Sequence, residues 1–290
     1  IVVRLFQLQI IDNEKYLALA DAEQMKRFEI PAQRGLIYAM DGKTPTKLVM
    51  NESIYTVFAD PQMIKDDEKS EIISKIKEVA GGNVRDGFES LLDKKESRYQ
   101  ILATKISRKQ AEMIKESDFT GIGFQETSQR VYPEGQLASQ VLGFVNSEGG
   151  QYGIEGALND ELSGKDGQLK TVTDVSGVPL TIGSRDIDTP AEDGKNVVLS
   201  IDRNIQAQAE KILKNKLESS GAKDGSVIVM DPQTGKVMAM ANYPTYNPAE
   251  FSTVTDASVF TNGTTTSAYE NGSVIKSLTM AIGIDTGVAS

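Results

Sequence analysis

Residues 269–276 read Tyr-Glu-Asn-Gly-Ser-Val-Ile-Lys, which places a serine three residues before a lysine at the start of an apolar run. Asn271-Gly272 is a turn pair that can end the preceding loop, and the apolar residues from Val274 to Ile284 fit one helix surface. The sequence therefore predicts that Ser273 lies in the first turn of a helix.

The Ser273-x-x-Lys276 spacing can build a nucleophile, because residues i and i+3 of a helix are neighbours with Cβ atoms roughly 5–6 Å apart. Serine is weakly nucleophilic unless a neighbour takes its proton, and a lysine does so when burial lowers its pKa. The helix N-terminus adds backbone N–H groups that stabilise developing negative charge. Taken alone, however, the pattern is more often a helix-capping serine followed by a solvated lysine.

Composition removes several function classes. The 290 residues contain no histidine and no cysteine, which excludes a Ser-His-Asp triad, the usual zinc sites and disulfides. The net charge is −10, from 31 Lys+Arg against 41 Asp+Glu, which disfavours nucleic acid as a partner. A serine activated by lysine is the nucleophilic arrangement that remains, and neither a cofactor nor a metal is predicted.

Asp186, Asp188 and Asp193 are spaced in a way that suggests a calcium-binding loop. Its sixth position is Ala191 rather than glycine, and its twelfth is Val197 rather than glutamate, which disfavours this interpretation.

The hydrophobic pattern alternates between strands and helices. We expect strands at 35–38, 46–60, 99–104, 121–131, 196–201, 225–231 and 236–241, and helices at 12–28, 66–80, 107–116 and 203–219. The Asp231-Pro232-Gln233-Thr234-Gly235 segment predicts a turn that joins the last two strands into a hairpin.

The motif and its surroundings resemble the class B penicillin-binding proteins. Tyr-Glu-x-Gly-Ser273-x-x-Lys276 is similar to the first active-site motif of penicillin-binding transpeptidases, and Arg34-Gly35-Leu36-Ile37 with Asp41-Gly42 is similar to that family's opening signature. Further similar blocks, in family order and covering nearly the whole chain, are 130–133, 142–145, 153–156, 162–167, 199–206 and 229–240. The departures are Tyr38-Ala39-Met40 in the signature, Asn271 in place of proline and Ser277 in place of another proline.

This resemblance implies an α+β fold: a juxtamembrane helix at 1–28, a pedestal domain of the dimerisation type at 29–195, and the first part of a β-lactamase-like serine transpeptidase domain at 196–290. It also implies a bacterial membrane protein with a single N-terminal anchor and an extracytoplasmic body. We expect that anchor to have been removed ahead of Ile1, although Leu5, Leu8 and Ile11 could equally pack on the body.

The implied activity is peptidoglycan D,D-transpeptidation through an acyl-serine intermediate, with Ser273 as nucleophile and Lys276 as base. Its partners are peptidoglycan stem peptides, β-lactams, a membrane-embedded glycosyltransferase and other wall-synthesis proteins. The family's later Ser-x-Asn and Lys-Thr-Gly motifs lie outside residues 1–290, so we expect these residues alone to be inactive. The alternatives are a non-catalytic scaffold that docks a glycosyltransferase, and a serine β-lactamase or β-lactam sensor. Roles in elongation, division and sporulation all fit.

Overall fold

The structure is a computed structural model that describes Phe6 and residues 25–172 and 186–289. Most of the helix predicted over residues 12–28 lies outside the described residues. Its last part was predicted wrongly, because Met25–Ile30 is a strand that pairs antiparallel with Gly167–Val172. Backbone hydrogen bonds to a distant strand override the local helical pattern there.

All seven predicted strands are found with bounds that differ by a few residues, and five further strands were not predicted. The described strands are β1 (Met25–Ile30), β2 (Ile37–Asp41), β3 (Thr44–Ala59), β4 (Gln100–Ser107), β5 (Ile122–Val131), β6 (Phe144–Asn146), β7 (Gly149–Gln151), β8 (Gly167–Val172), β9 (Asp186–Thr189), β10 (Val197–Asp202), β11 (Gly225–Met230) and β12 (Val237–Tyr243). One sheet has the order β1-β8-β9, and a five-stranded sheet has the order β10-β2-β3-β4, with β5 also pairing β3. β6 pairs with β7, and β11 with β12.

The helices within the same described residues are α1 (Lys69–Ala80), α2 (Arg108–Lys115), α3 (Ser139–Leu142), α4 (Gly153–Ala157), α5 (Asn159–Ser163), α6 (Arg203–Ser220), α7 (Gly263–Thr266) and α8 (Ile275–Asp285). Short 3₁₀ segments lie at Gly81–Asn83, Phe88–Asp93, Pro248–Thr253, Ala257–Phe260 and Gly272–Val274. None of the described helices combines the length and the apolar character needed to cross a membrane. Helices and antiparallel strands occur together, as the predicted α+β class requires.

The chain divides into two compact units. The first contains Ile1–Ala39, Pro45–Glu134 and Leu158–Leu199, and the second contains Met40–Thr44, Gly135–Ala157 and Ser200–Ser290. Each unit is built from separate stretches of sequence, so the boundary predicted at residue 195 stays a prediction.

The first unit has its main core where α1 and α2 cover β3 and β4. Buried residues of this core include Val57, Ile72, Ile76, Leu102 and Ile106. The apolar face of α1 was visible as a helical period in the sequence, and it supplies Ile72 and Ile76. The N-terminus of α2 carries a capping box, in which Ser107 and Gln110 bond reciprocally.

The opening signature lies where three chain segments of the first unit meet. The Gly35 N–H donates to Leu162 O, the Gly194 N–H donates to Gln33 O, and the Lys195 N–H donates to Glu161 O, each at 2.8 Å. A Cβ on Gly35 would collide with the backbone of Lys195, and a Cβ on Gly194 would collide with that of Leu162. The glycines therefore permit this close backbone approach.

The preceding arginine fixes the same junction. The Arg34 guanidinium donates to Asn159 Oδ1 at 3.0 Å and to Ser163 Oγ at 2.9 Å, at the two ends of α5. The Asn51 side chain donates to Arg34 O. The Arg-Gly signature is thus explained by packing within this unit.

In the second unit, α6 packs on the β11–β12 hairpin through Leu213, Leu217 and Ala241. The predicted turn is confirmed: the Thr234 hydroxyl donates to Asp231 Oδ2 at 2.6 Å, and Gly235 takes a φ of 72°. A second cluster contains Phe144, Tyr246 and Phe260, with the Phe144 and Phe251 rings stacked 4.3 Å apart.

The N-terminus of α6 explains the Asp41-Gly42 pair. Asp202 Oδ1 accepts the N–H groups of Asn204 and Ile205, which caps the helix, while its Oδ2 accepts the Gly42 N–H at 3.0 Å. The Asn204 side chain then donates to Asp41 Oδ1 at 2.8 Å. One carboxylate therefore both caps α6 and holds the Asp41-Gly42 turn.

Candidate active site

Ser273 lies at the start of the helical segment, as the sequence predicts. Gly272 has a φ of 52°, which favours glycine, and the chain then forms the 3₁₀ turn Gly272–Val274. Val274 has helical dihedrals, φ −62° and ψ −32°, so the turn continues into α8. The Val274 N–H donates to Asn271 O at 3.2 Å. The first N–H groups of a helix generally have no partner within the helix, so the Ser273 end faces outward with N–H donors.

Lys276 is the second residue of α8. Because the backbone from Ser273 to Lys276 is helical, the two side chains share one face, with Cβ atoms roughly 5–6 Å apart by helix geometry. The structure therefore brings the two predicted site residues together on one helical turn. Among the described residues, no hydrogen bond joins their side chains.

The surroundings differ from the buried lysine that the sequence argument required. Both Ser273 and Lys276 are exposed, and so is the apolar surface of α8. Leu278 is 60% exposed and Ile282 is 63% exposed. The reason is that no described element covers this face of α8, so water surrounds the Lys276 amine.

Two cavities lie in the second unit, near the segment that leads to Ser273. One, of about 610 Å³, is lined by residues that include Ser226, Asn242, Asp256 and Ser267. The other, of about 500 Å³, is lined by residues that include Ser226, Thr264, Ser267 and Tyr269. Among the described residues, no group of three or more acidic side chains is placed to hold a metal ion.

Sequence reasoning missed Asn242 and Asn262 next to these cavities. In the sequence, Asn262-Gly263-Thr264 matches only the short glycosylation pattern Asn-x-Thr, which indicates no catalytic role. In the structure the Asn262 side chain caps α7, and the Asn242 side chain bonds to it at 2.9 Å. The available signal was an asparagine just before a short turn-forming segment, which is a helix-capping position.

Comparison with protein families gives two matches. Residues 29–199 match the penicillin-binding protein dimerisation domain, and residues 225–290 match the penicillin-binding protein transpeptidase domain. The second match contains both Ser273 and Lys276.

Curated relatives agree with these matches. The chain is 30% identical over 288 residues to the probable peptidoglycan D,D-transpeptidase PbpC of Pseudomonas aeruginosa, covering 98% of this chain and 49% of that protein. It is 32% identical over 287 residues to the stage V sporulation protein D of Bacillus subtilis, covering 97% and 43%. It is 28% identical to the peptidoglycan D,D-transpeptidase FtsI of Escherichia coli, covering 98% and 48%. The chain thus spans about half the length of the curated relatives it matches.

Solved structures support the fold. Penicillin-binding protein 2X from Streptococcus thermophilus aligns with a TM-score of 0.61 at 24% identity, covering 78% of this chain and 36% of that one. Penicillin-binding protein PBP2 from Helicobacter pylori, solved in complex with MreC, aligns with a TM-score of 0.57 at 23% identity, covering 78% and 44%.

The dimerisation-domain match alone covers more than half of the residues, and the transpeptidase match follows it in the family's order. The predicted arrangement of a pedestal followed by part of a transpeptidase domain is confirmed by these matches. The chain belongs to the class B penicillin-binding protein family.

Proposed function

We propose that the full-length protein is a peptidoglycan D,D-transpeptidase in which Ser273 is the nucleophile and Lys276 is the base. The observation that carries the proposal is the placement of both residues on one helical turn, inside the segment that matches the transpeptidase domain. Relatives named as peptidoglycan D,D-transpeptidases support the reaction class.

The proposed reaction has two acyl transfers. Ser273 Oγ attacks the carbonyl carbon of the penultimate D-alanine of a stem peptide while the Lys276 amine accepts the hydroxyl proton. The C–N bond to the terminal D-alanine then breaks, and the lysine returns the proton to the leaving amine. An amine of a neighbouring strand next attacks the ester, so the acyl group passes to it and Ser273 Oγ regains a proton.

The backbone N–H of Ser273 is the proposed first oxyanion-hole donor, because it lies where a helical segment begins. Loss of one such donor in acyl transfer costs about 10²–10³ in rate. The second donor and the proton relay are proposed to come from Ser-x-Asn and Lys-Thr-Gly motifs outside residues 1–290. Residues 1–290 alone are therefore expected to be inactive and to bind penicillin poorly.

A single N-terminal membrane anchor, an extracytoplasmic body and wall-synthesis partners complete the proposal. Residues 29–195 are the proposed docking region for a membrane-embedded glycosyltransferase and related proteins. Its support is the dimerisation-domain match, together with a similar protein, PBP2 of Helicobacter pylori, that was solved in complex with MreC.

Labelling of the full-length protein with fluorescent penicillin tests the proposal. Wild type and Ser277→Ala should be labelled stoichiometrically, because Ser277 is an exposed serine beside the site with no proposed role. Ser273→Ala should not be labelled. A folded wild type that takes no label would contradict the enzyme proposal and favour the scaffold. A label that is rapidly lost by hydrolysis would indicate a β-lactamase instead.

A further inference from the structure

The chain reaches the Ser273 turn through residues 262–272, which we call the serine strap. Its first part forms α7, and residues 265–272 are exposed. Gly263 and Ser267 line both the cavity of about 610 Å³ and the cavity of about 500 Å³. The strap therefore borders open space, so its position depends on a small number of polar contacts.

Those contacts meet at Asn242, a residue of β12 that is 8% exposed. Its Oδ1 accepts the backbone N–H of Thr264 at 3.1 Å and the hydroxyl of Ser226 at 3.0 Å. Its Nδ2 donates to Asn262 Oδ1 at 2.9 Å. One side chain thus joins β11, β12 and the start of the serine strap.

Asn262 completes the connection from the other side. Its Oδ1 also accepts the Thr264 N–H at 3.1 Å and the Thr264 hydroxyl at 2.6 Å, and its Nδ2 donates to Met240 Sδ at 3.0 Å. Within the described residues, the hydrogen bonds from the serine strap to the β11–β12 hairpin all involve Asn242 or Asn262. The remaining hydrogen bonds of the strap are local ones such as Ser267 N–H to Gly263 O.

Gly263 shows how closely the serine strap approaches the side chains of Asn242 and Ser226. A Cβ at Gly263 would lie 3.1 Å from both Asn242 Oδ1 and Ser226 Oγ, which is tighter than an ordinary carbon contact. A larger residue at Gly263 would therefore push the Asn242 and Ser226 side chains away by a few tenths of an ångström.

We propose that Asn242 is a positioning residue for Ser273, acting through Asn262 and the serine strap. The inference rests on the proposed transpeptidase function. Asn242 touches neither reacting atoms nor substrate in this account. It fixes the point from which the exposed strap leads to the serine turn, and so limits the range of positions that Ser273 Oγ can take. Small errors in the position of a reacting group are costly, since a misplacement of about 1 Å can reduce a rate about 100-fold.

Acylation kinetics of the full-length protein with penicillin test this role. Asn242→Ala should lower the first-order acylation rate constant by about 10–100-fold, with the dissociation constant of the noncovalent penicillin complex unchanged. Asn242→Asp keeps the acceptor oxygen but loses the donor to Asn262. Its acylation rate constant should therefore fall between those of wild type and Asn242→Ala. The matched control is Leu213→Ala, which destabilises the packing of α6 on the same hairpin without touching the strap, and it should keep the wild-type rate constant well below its melting temperature.

Gly263→Ala gives a second measurement that removes no hydrogen-bonding group. Gly263→Ala should also lower the acylation rate constant. It tests the positioning role if Asn242→Ala does not fold. Wild-type acylation rate constants in folded Asn242→Ala or Gly263→Ala protein would overturn the positioning role while leaving the proposed function intact. A wild-type protein that is never acylated would overturn the proposed function itself.

Discussion

The side-chain amide of Gln206 pairs with the backbone of Met240 as a neighbouring strand would. Gln206 Oε1 accepts the Met240 N–H at 2.7 Å, and Gln206 Nε2 donates to Met240 O at 3.0 Å. Gln206 is fully buried on α6. A helix side chain therefore satisfies the polar groups of β12 where α6 covers the hairpin, which couples the two elements by more than apolar contact.

Gln206→Leu should strongly destabilise the second unit. The substitution leaves the N–H and C=O of Met240 that face the buried Gln206 side chain without these partners, and each unsatisfied group costs about 1–3 kcal/mol. We expect a loss of about 2–6 kcal/mol in the free energy of unfolding, measured by urea denaturation. Gln208→Leu, an exposed position on the same helix, is the matched control and should change little. Equal stability of the two variants would show that the pairing contributes nothing.

Glu210 predicts a specific pH dependence. Burial raises the pKa of its carboxyl group, against the opposing hydrogen bonds from Gln206 and from the Ala138 N–H at 2.7 Å. The folded protein therefore holds this proton to higher pH than the unfolded chain does. The stabilisation is complete below the unfolded pKa and is lost as the pH rises through the raised folded pKa.

Glu210→Gln should remove this part of the pH dependence, since it keeps an acceptor for Ala138 and carries no charge. We expect its free energy of unfolding to exceed that of wild type at neutral pH and to vary less with pH. Glu218→Gln, at an exposed position on α6, should follow the wild-type profile. A Glu210→Gln protein that is less stable than wild type at neutral pH would show that the charge itself is needed.

Gly35→Ala should disrupt the first unit. Its Cβ would meet the Lys195 backbone, which cannot move without breaking the Lys195 N–H bond to Glu161 O. We expect a loss of about 3 kcal/mol or more in thermal or urea denaturation. The control is Gly82→Ala, because a Cβ there meets nothing within 4 Å. If both variants unfold at the same denaturant concentration, the close approach at Gly35 is not limiting.

The exposed face of α8 predicts that the isolated 290-residue chain self-associates, since contiguous apolar surface is seldom left in water. Sedimentation velocity at increasing concentration should show oligomers. A double variant, Leu278→Glu with Ile282→Glu, should be monomeric, whereas Ile212→Glu on the exposed side of α6 should associate as wild type does. A monomeric wild-type chain would argue against this expectation.

Local signals in the sequence predicted the elements whose determinants are close together. The Asp231–Gly235 turn and the apolar period of α1 both act over a few residues, and the structure confirms each. The strand at Met25–Ile30 was missed because its partner, β8, is far away in sequence. No local pattern reports such a pairing.

In the candidate site, too, the sequence predicts the local feature but not the contact between distant residues. The three-residue spacing of Ser273 and Lys276 places both on one turn of a helix, and the structure has them on one turn. The Asn242–Asn262 bond joins residues 20 positions apart on different elements, so its existence depends on how the strap crosses the hairpin. Asparagine at either position is common in loops and strand ends, and the sequence offered no reason to connect the two.

Peptide mapping by mass spectrometry of the full-length protein after exposure to penicillin tests whether Ser273 is the nucleophile. We expect one penicilloyl group per chain, on the peptide that contains Ser273, with fragmentation placing it on Ser273 rather than on Ser277. The adduct should be absent in Ser273→Ala and strongly reduced in Lys276→Ala. A stable adduct on another residue, or its persistence in Ser273→Ala, would contradict the assignment of Ser273 as the nucleophile.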